Sequence, residues 1–106
     1  MKTRSSSLPR RLAAIALVLG VAACAARMPP RATPLDAECA NVSVDELDRG
    51  RSLLISKCSN CHKAPMPADK AAAEWPSAMD EMAPRAHLDD GDRQAIEQYL
   101  RAMSGR

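Results

Sequence analysis

The chain has 106 residues, with 15 Lys+Arg against 13 Asp+Glu, four cysteines, one tryptophan, one tyrosine and no phenylalanine. Its basic charge comes from the start of the chain: setting aside Lys2, Arg4, Arg10 and Arg11 leaves 11 Lys+Arg against the same 13 Asp+Glu, a net charge of −2. That balance excludes a basic-patch nucleic-acid binder. The length allows one small domain, and a core so poor in aromatics calls for a cofactor, metal or disulfide to fill it.

The four basic residues precede an apolar run, Leu12 to Ala23, of signal-peptide length and too short to span a bilayer comfortably. Val21-Ala22-Ala23-Cys24 follows. This resembles the lipobox of bacterial lipoproteins, which implies cleavage before Cys24, diacylglycerol on its thiol and acylation of the new amino terminus. Several acyl chains together anchor stably. The alternative is an ordinary secretory signal cut near Ala23 or Ala26, with Cys24 incidental. Ala25 stands where lipoproteins retained at the inner membrane carry aspartate, which permits sorting to the outer membrane. We therefore expect a signal over 1–23, a lipidated N-terminus and tether over 24–42, and a folded domain over 43–106.

Pro29, Pro30 and Pro34 suggest that the tether is flexible and partly extended. Such a tether would let the domain swing between partners. Cys39 lies in it, as a single thiol or as half of a disulfide to another chain. Beyond it the pattern predicts helices and no strands. The first begins after Ser43, a capping residue, with Asp45 and Glu46 in its first turn. Val44, Leu47, Gly50 and Leu54 share one face. A glycine inside a helix costs about 1 kcal/mol against alanine, a cost that close approach of another helix would offset. This helix runs directly into Cys58.

Residues 58–62 read Cys-Ser-Asn-Cys-His. Cys-x-x-Cys-His is the attachment signature of c-type haem. Two thiols three positions apart lie on one side of a helical turn, where each can add to a porphyrin vinyl group. The histidine that follows stands under the iron. Cys58 and Cys61 are thus candidate thioether anchors and His62 the candidate proximal ligand of one covalent haem c. A zinc site would need two further ligands, for which only Cys39 and His87 remain. A redox dithiol would sit on a βαβ pattern that this chain lacks.

After a loop over Lys63 to Asp69, with Pro65 and Pro67, a second helix is expected over about Ala72 to Met82. Pro76 is tolerable in its first turn. Trp75, Met79 and Met82 share a face, and Pro84 should stop the helix. The last helix is the clearest: Asp89 caps it, Asp92 forms an approximate capping box, Ile96, Tyr99, Leu100 and Met103 make its apolar stripe, and Gly105 follows its end.

A sixth iron ligand of thioether sulfur would close the site and raise the potential. Met66 is too near His62 in the chain to reach the opposite face, and Met103 belongs to the last stripe. Met82 ends its helix and can be aimed at a fixed point. Met79 is the second choice, and His87 would give bis-histidine ligation.

Three blocks resemble small class I cytochromes c: Leu47-x-x-Gly50-Arg51-x-Leu53-Leu54, Cys58-x-x-Cys61-His62, and Glu74-Trp75-Pro76 through Met82-Ala83 with Leu88 and Ile96-x-x-Tyr99-Leu100. The resemblance covers about Leu47 to Leu100. It implies an all-α fold of three to four short helices around one covalent haem, with Gly50 meeting Tyr99 where the first and last helices cross. The methionine seven positions after the tryptophan, Met82, would be the distal ligand. Leu54 departs from the family, where an aromatic is frequent, and so does His87, where a small residue is common. The implied function is non-enzymatic: one-electron transfer between a redox donor and an acceptor on the periplasmic side of a bacterial membrane, where Lys57 and Lys63 would bias docking towards acidic partners. The alternatives are a haem-bearing subunit of a larger oxidoreductase and a haem-based ligand sensor.

Overall fold

A computed structural model describes residues 28–59 and 63–105. Their regular structure is entirely helical. In chain order it comprises α1 (Pro34–Ala40), α2 (Val44–Leu53), a π-helical turn (Leu54–Cys58), two 3₁₀ turns (Pro67–Asp69 and Ala72–Glu74), α3 (Trp75–Arg85) and α4 (Asp90–Met103). The all-α expectation is met. The expected signal peptide and Cys24 lie outside the described residues.

The principal interface is the crossing of α2 and α4, against which α1 and α3 also pack. Gly50 makes the crossing possible. A Cβ built on it would stand 2.1 Å from the Ala95 carbonyl oxygen and 2.8 Å from Tyr99 Cβ. The approach of α4 thus explains a residue that otherwise weakens a helix interior. One continuous core joins Ala37 of α1, Leu47 of α2, Leu54 of the π-helical turn, Trp75 and Met79 of α3, and Ile96, Tyr99, Leu100 and Met103 of α4. Every member of the stripe expected on α4 is buried.

Side chains of the local sequence set the helix starts. Ser43 Oγ accepts from Glu46 N–H at 3.1 Å, while Ser43 N–H donates to Glu46 Oε2 at 2.9 Å, a reciprocal capping box. Asp89 caps α4 through Asp92 N–H at 2.7 Å. The Asp92 carboxylate does not reach back to close a box. It pairs with Arg49 at 3.3 Å and ties the start of α4 to α2.

Two expectations are corrected. Residues 29–42 are not a loose tether. Thr33 caps α1 with Pro34 in the first turn, and Thr33 N and Oγ1 each donate to Asp36 Oδ2 at 2.7 Å. Asp36 and Ala37 are buried, and α1 packs on α2 and α4. Upstream, Arg51 Nε donates to the Pro29 carbonyl at 2.7 Å and Tyr99 Oη to the Pro30 carbonyl at 2.6 Å. The prolines are clamped because their carbonyls, still good acceptors, meet donors from both crossing helices. The second correction concerns Pro84, which does not stop α3. It removes only the bond its own amide would make. The chain continues to Arg85, and the end is closed by Ala86 N–H to the Met82 carbonyl (3.0 Å), His87 N–H to the Pro84 carbonyl (3.3 Å) and Leu88 N–H to the Ala83 carbonyl (3.0 Å).

Candidate functional site

Helix α2 does run on towards Cys58, but the turn that follows it, Leu54–Cys58, widens into a π-helix. Such widened turns occur mostly as single insertions within α-helices, frequently at functional sites. Here the turn begins with fully buried Leu54 and ends with half-buried Cys58, which packs against the edge of the core. The Ser59 hydroxyl donates to the Ile55 carbonyl and Ser56 Oγ to the Leu53 carbonyl at 3.3 Å, satisfying carbonyls that a helix end leaves without intrahelical partners. Cys61 and His62 lie outside the described residues. Among the described residues no group of three or more His, Cys, Asp or Glu side chains is placed to hold a metal ion.

On the far side of the loop, Ala64 packs against the same core and Pro67 is buried. Met66 N–H donates to Asp69 Oδ2 at 2.8 Å and Ala71 N–H to Glu74 Oε2 at 2.8 Å, so each of the two short 3₁₀ turns is braced by a carboxylate three residues on. These turns lead the chain into α3 with Trp75 first and Pro76 second, positions whose amides need no helical partner.

The candidate distal ligands separate clearly. Met79 is fully buried in the common core, and so is Met103. Met82 is half-buried near the end of α3, and Met66 is half-buried in the loop. His87 is exposed with φ 53°, in the left-handed region. Trp75, the largest fully buried side chain, contributes a feature that sequence reasoning missed. Its indole Nε1 is buried without a hydrogen-bond partner among the described residues. A buried donor left unsatisfied costs about 1–3 kcal/mol, and buried polar atoms without partners are rare enough to need a reason. No sequence pattern marks an orphaned donor: the spacing with Met79 and Met82 places Trp75 on a helix face and says nothing of its N–H.

Of the groups with chemistry to offer, Cys58 sits at the edge of the core, Trp75 and Met79 lie within it, and Met82 is half-buried on α3. A separate open groove of about 740 Å³ lies between α1, the Ala72–Glu74 turn and α4, lined by Cys39, Ala72, Arg93, Glu97 and Arg101 among others. It is polar and contains none of Cys58, Trp75, Met79 or Met82. Cys39 is exposed on its rim as a free thiol. Lys57 and Lys63 are both exposed.

Comparisons with protein-family models, with curated proteins and with solved structures return no match for this chain. No helix among the described residues is long and apolar enough to cross a membrane.

Proposed function

We propose that this chain is a small class I cytochrome c, held to the periplasmic side of a bacterial membrane by lipid on Cys24, that carries single electrons between a donor and an acceptor protein. The observation that carries the reading is the Cys58-Ser59-Asn60-Cys61-His62 sequence at the end of a helix whose last turn is packed on the core. Cys58 and Cys61 would hold the haem through thioethers, His62 would bind the iron from one side and Met82 from the other. When bound, a c-type haem supplies ferric/ferrous chemistry, taking one electron from the donor and passing one to the acceptor.

The residues present fit such a group. The core is aliphatic and sulfur-rich, with one tryptophan and one tyrosine as its only aromatics. The Trp75 N–H meets no acceptor among the described residues, and a porphyrin carboxylate would be one. Met82, half-buried near the helix end, offers sulfur without being consumed by the core as Met79 is. Exposed Lys57 and Lys63 flank the pentad and would favour an acidic partner in a brief, small-area encounter.

Spectroscopy of the protein purified from membranes tests this function. It should take up one electron reversibly, and its reduced spectrum should not change under carbon monoxide. Ready formation of a carbon monoxide adduct would favour a ligand sensor. A catalytic chain that co-purifies in fixed proportion would favour a subunit of a larger oxidoreductase.

A further inference from the structure

The clamp on Pro29 and Pro30 changes what the anchor can do. If Cys24 carries lipid, only five peptide steps separate it from Pro29, whose carbonyl is held by Arg51. At 3.3–3.6 Å per residue this segment spans at most about 18 Å. A domain of this size has a diameter of about 30 Å. The anchor is therefore shorter than the domain is wide, and the pole opposite Pro29 cannot reach the bilayer.

The surface next to the anchor has matching chemistry. The two exposed large hydrophobic side chains of the described residues are Met28, 53% exposed, and Leu35, 62% exposed. Both fall in the first eight of the described residues. Exposed Arg31 lies between them in sequence, and Arg27 immediately precedes Met28. The other large apolar side chains among the described residues are buried or partly buried. A bilayer interface accepts apolar side chains at its acyl boundary and attracts Arg where its lipids are anionic.

We infer that Met28, Arg31 and Leu35 form a membrane-contact surface that seats the domain directly on anionic lipid headgroups, with the Arg51 and Tyr99 hydrogen bonds to Pro29 and Pro30 fixing the seat to the helix crossing. The inference rests on reading Cys24 as the lipid anchor and replaces the swinging domain with one of restricted orientation. Electron partners would then reach the domain from the side or from above, within the same membrane.

The test uses the full-length chain purified from membranes and reconstituted in vesicles of phosphatidylethanolamine and phosphatidylglycerol. With Cys39→Ser removing the exposed thiol, a single environment-sensitive fluorophore is placed by Leu35→Cys or, for comparison, by Ser77→Cys on α3. Mass analysis establishes the lipid on Cys24 in each preparation. The seat predicts that the label at 35 is quenched by lipid-borne nitroxide and loses its sensitivity to aqueous iodide, while the label at 77 stays iodide-sensitive. A lipidated chain in which both labels remain equally open to iodide overturns the seat and leaves the anchor standing. A chain without diacylglycerol overturns the anchor and the seat together.

Discussion

The Cα of Gly50 lies so close to the Ala95 carbonyl that a methyl group added there would meet the oxygen at 2.1 Å. The contact is with backbone, so no rotamer change relieves it. Gly50→Ala should therefore lower stability by about 1–3 kcal/mol or more, as overpacking of a close interface does, despite the gain of about 1 kcal/mol in helix propensity. Gly91→Ala, where the nearest atom is Asp89 Oδ1 at 3.4 Å, is the control and should be neutral or mildly stabilising. Denaturant titration of both variants measures the difference.

Tyr99 gives the crossing a pH limit. Burial pushes its phenol up to about 12, with nearby Arg51 lowering it in part and Asp48 raising it. The neutral phenol is the form the fold favours, and its hydroxyl donates to Pro30. Its stabilisation is fully present below pH 10, where the unfolded phenol is also neutral, and is lost as pH rises towards 12. Tyr99→Phe should cost about 1 kcal/mol at neutral pH, the usual net worth of one hydrogen bond. The variant should also lack the loss of stability between pH 10 and 12, which denaturation at a series of pH values would show.

His87 carries backbone strain that its side chain does not need. With φ 53° it occupies the left-handed region, which costs an ordinary residue about 1 kcal/mol. His87→Gly removes that cost and returns part of it as unfolded-chain entropy. A rise in stability of a few tenths of a kcal/mol, up to about 1 kcal/mol, is expected. An unchanged haem spectrum in the same variant would dismiss bis-histidine ligation.

Met82 and Met79 predict different failures. If Met82 binds a haem iron as proposed, Met82→Ala should abolish the weak near-infrared sulfur-to-iron absorption of the ferric form and open the iron to carbon monoxide, with a modest effect on folding. Met79→Ala removes a fully buried side chain and should destabilise by about 2–5 kcal/mol. Persistence of the near-infrared band in Met82→Ala would exclude Met82 as the ligand.

The last helix was legible because its signals agree: Asp89 caps, Ile96, Tyr99, Leu100 and Met103 repeat with helical spacing, and all four are buried. Gly50 was legible as a point of close approach because nothing else justifies it within a helical pattern. Helix α1 was missed because seven residues carry no periodicity and three prolines read as extension. The capping residues were nevertheless present in Thr33-Pro34-Leu35-Asp36. The clamp on Pro29 and Pro30 was not legible, since it joins carbonyls to side chains 22 and 69 positions away. Nor does composition announce the π-helical turn before Cys58 or the unsatisfied N–H of Trp75. Both depend on how neighbouring elements pack. Of the pentad itself, the described geometry bears on Cys58 and the helix that carries it, while the assignment of Cys61 and His62 rests on spacing.

The most direct measurement is whether colour stays with the polypeptide. The exported chain is unfolded, extracted with acidified organic solvent, and digested so that the fragment containing Cys58 to His62 can be weighed. The account predicts that the red pigment resists extraction and that this fragment carries the added mass of one haem. A colourless protein, or a pentad fragment of unmodified mass, would contradict it.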